Sequence, residues 1–375
     1  MRWSFRIGRF FGIDVFVHAT FLMLLAWVVA SAYMRTRSWE VSLHQLLFVI
    51  LVFVIVVLHE YGHALTARRF GVKTRDITLL PIGGVARLER IPENPWQEFL
   101  IAIAGPMVNV VLAGLCFIWA VADGSFAATF AGAKPPEARP DVVESLLATP
   151  WSMLLLGLNI SLVLFNMIPA FPMDGGRVLR AVLAMSMDYV TATRIAASVG
   201  QFLALMFGFF GLMSGNYILP FIALFIWIGA AQEAEAVVQR SMIAGVQVRE
   251  AMITQFNAVA PMDSLDTVAQ HVVDSFQQDF PVADGEQVVG MISRKDLLMA
   301  LAQRGRQALV SDVMAREFVV AEPDEALTEV VTRLQSCDCN SIPVVHANRL
   351  VGIITSENIG EYMMIRSALG RNVAA

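Results

Sequence analysis

Charge is scarce in this 375-residue chain: 16% of its residues are Asp, Glu, Lys or Arg, against 57% hydrophobic. A soluble domain of this length has no use for so much apolar surface, so the composition excludes a purely soluble protein. Basic tracts are absent, and 27 Lys plus Arg against 32 Asp plus Glu leave a net charge of −5. Direct nucleic-acid binding is therefore not expected. Cysteine is limited to Cys116, Cys337 and Cys339. Three cannot build a disulfide framework, and Cys337-Asp338-Cys339 lacks CxxC spacing, so all three read as reduced packing residues. The basic N-terminus, MRWSFRIGRFFGIDVFVH, has no small-residue cleavage site and is expected to be an uncleaved cytoplasmic lead-in.

What the chain has instead is long apolar runs, and mean hydropathy is +0.62. They are confined to residues 1–235, while 246–375 read as an ordinary soluble domain. Six membrane spans fit, at about 14–34, 44–66, 97–122, 151–171, 194–213 and 217–232. Lys and Arg fall unevenly about them. Arg2, Arg6, Arg9, Arg68, Arg69, Lys73, Arg75, Arg87, Arg90, Arg177, Arg180 and Arg194 lie on one side, and only Arg35, Arg37, Lys134 and Arg139 on the other. The positive-inside bias places both termini in the cytoplasm of a multi-pass protein of the cell (inner) membrane.

The second span carries the chemistry. Leu46–Leu58 is thirteen apolar residues without a break, followed by His59-Glu60-Tyr61-Gly62-His63. On a helix His59 and His63 stand at i and i+4, on one face, as two ligands of one metal must. Glu60 is placed to act on a water as general base. At ~1.5 Å per residue His59 lies roughly 20 Å into a ~30 Å hydrocarbon core, where ionisable groups are expensive without partners. A catalytic zinc needs three protein ligands and an open position. The third is found where the fourth span ends, in Asn166-Met-Ile-Pro169-Ala-Phe-Pro172-Met-Asp174-Gly175-Gly176-Arg177. Its prolines break the helix and bring Asp174 in on an irregular arm, tolerable at membrane depth only when it lines a buried site. Residues 77–88, around Pro81-Ile82-Gly83-Gly84, read as an apolar hairpin dipping in beside the site. Asn109, in Gly105-Pro106-Met107-Val108-Asn109, must find a polar partner within the bundle. His18, His44, Asp76, Glu89 and Glu98 are weaker candidates, the acids being expected as solvated charges.

The tail repeats itself. Residues 248–305 and 310–367 align without a gap at an offset of 62, with Phe280-Pro281-Val282 matching Ile342-Pro343-Val344 and Val289-Gly290 matching Val351-Gly352. Each copy reads as a small α/β unit that pairs with its twin to bury one core.

HEYGH at 59–63, GPMVN at 105–109 and NMIPAFPMDGGR at 166–177 resemble the signature regions of the site-2 proteases, which are intramembrane zinc metalloproteases. The tail resembles a tandem pair of CBS domains, with GMISRKD at 290–296 and GIITSEN at 352–358. The short loop between the third and fourth spans matches the subgroup without a PDZ domain. The resemblance implies a polytopic α-helical membrane protein, with about six transmembrane helices and a small membrane-associated β-hairpin, followed by a cytoplasmic α/β tandem CBS module. The expected domains are 1–240 for the protease and 246–306 and 308–369 for the CBS repeats. It implies zinc on His59, His63 and Asp174, Glu60 as base, and Asn109 and Asn166 in substrate binding or oxyanion stabilisation. Ser293, Asp296, Thr355 and Asn358 are the implied nucleotide-binding residues, with ATP, ADP or AMP as regulator. Asn358 departs from the acid that stands at Asp296, which weakens the second site. The implied partners are a membrane-anchored substrate of the anti-sigma-factor or membrane-tethered transcription-factor type, the lipid bilayer, and a second copy of the chain held through its CBS domains. A different class remains open: a CBS-gated channel or transporter whose His/Glu/Asp cluster lines an ion path.

Overall fold

The structure is a computed structural model that describes residues 3–81, 83–88, 94–131, 149–337 and 339–371. Ile82, Glu89, Arg90, Lys134 and Arg139, and with them the middle of the loop after the third span, lie outside the described residues. The chain divides into two compact units, Met1–Glu235 and Ala236–Ala375.

In the first unit, strands β1 (Ser4–Phe10) and β2 (Ile13–His18) precede α1 (Ala19–Thr36) and α2 (Trp39–Arg69). Strands β3 (Thr74–Leu80) and β4 (Gly83–Leu88) follow, then α3 (Pro95–Ala122) and the short α4 (Ser125–Ala131). Next come α5 (Trp151–Asn166), α6 (Asp174–Ala184), α7 (Tyr189–Ser214) and α8 (Ile218–Ile243). Five of these helices, α1, α2, α3, α7 and α8, are long and apolar enough to cross a membrane, and α5 is a shorter apolar helix. Large apolar side chains such as Val54, Phe202, Phe209 and Phe221 are exposed along them, as lipid-facing residues are.

Local chemistry sets the ends of these helices. Ser38 caps α2 by accepting from Val41 N, with Glu40 in the first turn and Arg68 and Arg69 in the last. Asn94 caps α3 and Pro95 opens it. Both arrangements satisfy orphan N–H groups or the helix dipole. The helix ends depart from the expected spans by several residues in most cases, and two of these departures have a plain cause. Residues 14–18 are not the start of a helix: Ile13–His18 alternates buried and half-buried residues as a strand. At the other end α8 runs to Ile243, eleven residues past the expected limit, because Glu233, Glu235 and Arg240 end an apolar span without ending a helix.

The hairpin over 77–88 is present, but it is half of a larger sheet. Its order is β1-β2-β3-β4, with β2 parallel to β3 through pairs such as Val15 with Ile77. The α1–α2 pair makes the crossover that a parallel connection requires. Tyr61 Oη donates to the Phe10 carbonyl at 3.1 Å and Arg68 Nη1 to the Phe11 carbonyl at 2.8 Å, which ties the N-terminal hairpin to α2.

The second unit contains α9 (Val248–Ala251), α10 (Leu265–Asp274), β5 (Asp279–Asp284), β6 (Gln287–Ser293) and α11 (Arg294–Arg304). A single 3-10 turn (Val310–Asp312) follows, then α12 (Leu327–Cys337), β7 (Ser341–His346), β8 (Arg349–Thr355) and α13 (Ser356–Arg371). Elements from Leu265 onward recur at the expected offset, and equivalent residues meet: Ser341 Oγ donates to Asp279 Oδ2 at 2.8 Å. The copies also exchange their first turns. Val248, from the first repeat, packs in a core with Ile342, Val344 and Ile354, while Val310, from the second, packs with Phe280, Val282 and Ile292. Each repeat thus completes the other's core. The sulfurs of Cys337 and Cys339 lie in contact at the end of α12.

Candidate active site

Three side chains from two distant parts of the chain converge in the first unit. His59 Nε2 and His63 Nε2 lie 3.1 Å apart, and each is 3.1 Å from Asp174 Oδ2. All three residues are buried. The helix repeat of α2 brings the two rings together. Asp174 reaches them because α5 stops at Asn166 and residues 167–173 form the irregular arm. That arm is covered by protein: Ala170 and Met173 pack with Ala204 and Ile226, and Phe171 with Ala196 and Ala230. Gly175 is required there, since a Cβ on it would lie 2.2 Å from the Ile168 carbonyl oxygen.

The hydrogen bonds behind the rings fix what faces the centre. The Leu155 carbonyl can only accept, so the Asn159 atom 2.8 Å from it is Nδ2. Asn159 Oδ1 then accepts from Asn109 Nδ2 at 3.0 Å. This turns Asn109 Oδ1 toward His59 Nδ1, at 2.6 Å, so that nitrogen carries the proton. His63 Nδ1 donates to the Ile101 carbonyl at 2.7 Å. Neutral rings held in this way present lone pairs at both Nε2 atoms. When both rings are neutral, two lone pairs and a carboxylate oxygen meet here, an arrangement that repels unless a cation lies at its centre. The spacing is close to the ~3.3 Å ligand–ligand edge of a tetrahedral site with ~2.0–2.1 Å bonds. The donor set therefore fits one zinc ion, and it forms the one His/Cys/Asp/Glu cluster of metal-binding spacing among the described residues.

The backbone around the site is drawn in closely. Gly62 lets α2 approach α3, since a Cβ on it would lie 2.6 Å from the Ala104 carbonyl oxygen. Gly105 of α3 faces the three donors, and a Cβ there would lie 2.2 Å from His63 Nε2 and 2.7 Å from His59 Nε2. Glu60, half-buried, runs beneath β4, where a Cβ on Gly84 would lie 3.0 Å from its Cγ. Among the described residues β4 pairs with β3 alone, which makes it the edge strand of the sheet, with its Gly84 against Glu60.

The remaining candidates fall elsewhere. Asn109 is fully buried and hydrogen-bonded to His59, and Asn166 is half-buried at the end of α5. His18 caps α1, and His44 packs on Trp151 with ring centroids 4.4 Å apart. Asp76 and Glu98 are not solvated: they are buried and paired with Arg87 and Arg180. In the tail, Ser293 Oγ donates to Asp296 Oδ2 at 2.6 Å, and Asp296 N donates to Ser293 Oγ, which closes that pair on the start of α11. Thr355 and Asn358 instead line a cavity of about 640 Å³ together with Phe256, Phe276, Glu357 and Glu361. Asn358 Oδ1 is buried and has no hydrogen-bond partner among the described residues. This cleft is lined from both repeats, and it is the second repeat's motif, the one that departs from the pattern, that faces it.

Residues 47–207 match peptidase family M50, and residues 248–303 and 310–364 match the CBS domain. The zinc metalloprotease MJ0392 of Methanocaldococcus jannaschii is 33% identical over 365 residues, covering 97% of each chain. The chain belongs to peptidase family M50. Among solved structures, a site-2 protease from the same archaeon is 39% identical, covering 62% of this M50 chain and 95% of that one, with a TM-score of 0.40. The CBS domain-containing protein YhcV of Bacillus subtilis is 26% identical over 125 residues, 33% of this chain and 89% of its own. This M50 chain is accordingly a multi-pass membrane zinc metalloprotease with a C-terminal CBS pair, and the ion-path alternative is set aside. Sequence reasoning missed Asn159 and Gly105 as neighbours of the site. An Asn within an apolar span is a visible signal for the first; the second carries no signal beyond its Gly-Pro context.

Proposed function

We propose that this protease cleaves a transmembrane or membrane-proximal segment of a membrane-anchored protein, of the anti-sigma-factor or membrane-tethered transcription-factor type. Its zinc would be held by His59, His63 and Asp174. The convergence of two imidazole nitrogens and one carboxylate oxygen at 3.1 Å carries this reading. When bound, zinc supplies Lewis acidity, acidifying water and polarising a carbonyl. Glu60 takes the proton from the attacking water and hands it to the leaving amine nitrogen. A helical substrate must unwind to expose a peptide bond, and the edge strand β4 offers backbone groups to hold it as an added strand. Asn166 remains the candidate for contact with the substrate. The Lys/Arg asymmetry supports cytoplasmic termini in the inner cell membrane. With a membrane-anchored substrate in liposomes, chelation of the metal should abolish cleavage and added zinc should restore it. Cleavage that persists in zinc-free protein would contradict the reading.

For Asn109 the proposed role is to hold the tautomer and orientation of His59, in place of contact with substrate or the oxyanion. Asn109→Leu keeps the volume and removes the acceptor, so zinc affinity should fall about 10- to 100-fold, the usual cost of losing a partner behind a ligand. Competition with a chelator measures it, and wild-type affinity would return Asn109 to the substrate side.

The tail is proposed to bind an adenine nucleotide in the cleft between the repeats and, through its CBS domains, to hold a homodimer or higher oligomer. Asp279, Glu357 and Glu361 line the cleft, and none of its described lining residues is Lys or Arg. Each added phosphate charge meets those carboxylates, so without divalent metal AMP should bind more tightly than ADP, and ADP more tightly than ATP. Calorimetry on the full chain checks the order; tighter ATP would contradict it.

A further inference from the structure

The largest fully buried side chain among the described residues is an arginine. Arg180, on α6, has no exposed surface. Its Nε and Nη2 donate to Glu98 Oε1 of α3 at 2.8 and 2.5 Å, and its Nη1 donates to Glu233 Oε1 of α8 at 2.6 Å. The guanidinium lies 4.9 Å from the ring centroid of Phe171, on the arm, and 5.0 Å from that of Tyr189, at the start of α7. Glu98 is itself 3% exposed. One side chain therefore joins the arm and the helices α3, α6, α7 and α8.

Burying such ions costs several kcal/mol per charge, and an apolar pair of the same volume often stabilises a fold equally well. Stability alone is therefore a weak reason for this arrangement, whereas its place in the fold suggests another. The helix α6 begins with Asp174, and Arg180 is less than two turns further along. The helix α3 carries Ile101, whose carbonyl holds His63, and Asn109, which holds His59. Glu98 is less than one turn before Ile101. The Arg180–Glu98 pair thus bridges the helix that brings the carboxylate and the helix that orients both imidazoles, and a planar guanidinium sets that register more tightly than a flexible cation would.

We propose that Arg180, acting through Glu98, is a positioning residue for the metal site, fixing Asp174 relative to His59 and His63. The proposal rests on the reading of those three residues as zinc ligands, and the experiment separates the two. Zinc is first titrated into the full-length wild-type chain in detergent against a competing chelator; failure of the wild type to bind zinc would sink the ligand reading and this proposal with it. The double variant Arg180→Met/Glu98→Met removes both charges while keeping apolar volume, so its melting temperature should stay within a few degrees of wild type. Its zinc affinity and kcat should nevertheless each fall about 10-fold or more, with KM changed by less than about twofold. Glu98→Gln keeps an acceptor in the same place and should stay within about threefold of wild type in both readings. A double variant that folds and binds zinc as tightly as the wild type would reduce the pair to a structural contact and overturn the proposal. Loss in Glu98→Gln as large as in the double variant would also overturn it, since charge rather than position would then be responsible.

Discussion

Glu60→Gln should retain zinc and lose cleavage by about 100-fold or more. The substitution is isosteric, so the side chain keeps its place beneath Gly84, where the approach is too close for a bulkier group. It leaves His59, His63 and Asp174 untouched, together with the hydrogen bonds that the rings donate to Asn109 and Ile101. What disappears is the ability to take a proton from water and return it to the leaving nitrogen. Zinc content and cleavage rate, measured on one preparation, give the two halves of the result. Near-normal cleavage would remove Glu60 from the mechanism, and loss of zinc would mean that it helps to hold the metal.

Gly105→Ala should abolish zinc binding, and with it activity, although the change is one methyl group. The new Cβ would lie 2.2 Å from His63 Nε2, 2.6 Å from His63 Cε1 and 2.7 Å from His59 Nε2. The rings have no freedom to swing away, because each Nδ1 is already held from behind. A methyl group lodged against both donors should cost at least the ~100-fold that changes behind a ligand reach at their upper end. Gly114 is the internal control. It lies on the same helix, α3, and a Cβ there meets nothing within 4 Å, so Gly114→Ala should bind zinc as the wild type does. Equal zinc affinity in both variants would show that α3 does not crowd the site as described.

The features legible in the sequence were those that short-range spacing encodes. His59 and His63 are one helical turn apart, and that interval means the same thing in any helix. Asp174 was reachable by counting ligands and by asking why two prolines should break a helix at membrane depth. The repeat in the tail was legible because each element recurs at one offset. Pairings between distant segments were not. Arg180 and Glu98 are 82 residues apart, and each looks like an ordinary charge at the edge of a span; nothing local separates a solvated arginine from one sandwiched between Phe171 and Tyr189. The N-terminal strands failed for a related reason. Ile13–Val17 is a short apolar run that suits a helix or a strand equally, and its strand character is settled by β3, some sixty residues later. Asn109 was recognised as needing a partner, but its place behind His59 depends on Asn159 and on the Leu155 carbonyl. The tail shows the same limit: Ser293 and Asp296 bond to each other, and the cavity that Asn358 lines is built from residues of both repeats.

The central claim is that two imidazoles and one carboxylate hold a zinc ion inside the membrane unit. X-ray absorption at the zinc edge, on the full chain purified without added metal, tests it most directly. The account predicts one zinc per chain with a first shell of nitrogen and oxygen at ~2.0–2.2 Å, two of the scatterers being imidazoles, and no sulfur. A shell containing sulfur at ~2.3 Å, or active protein that carries no zinc, would contradict it.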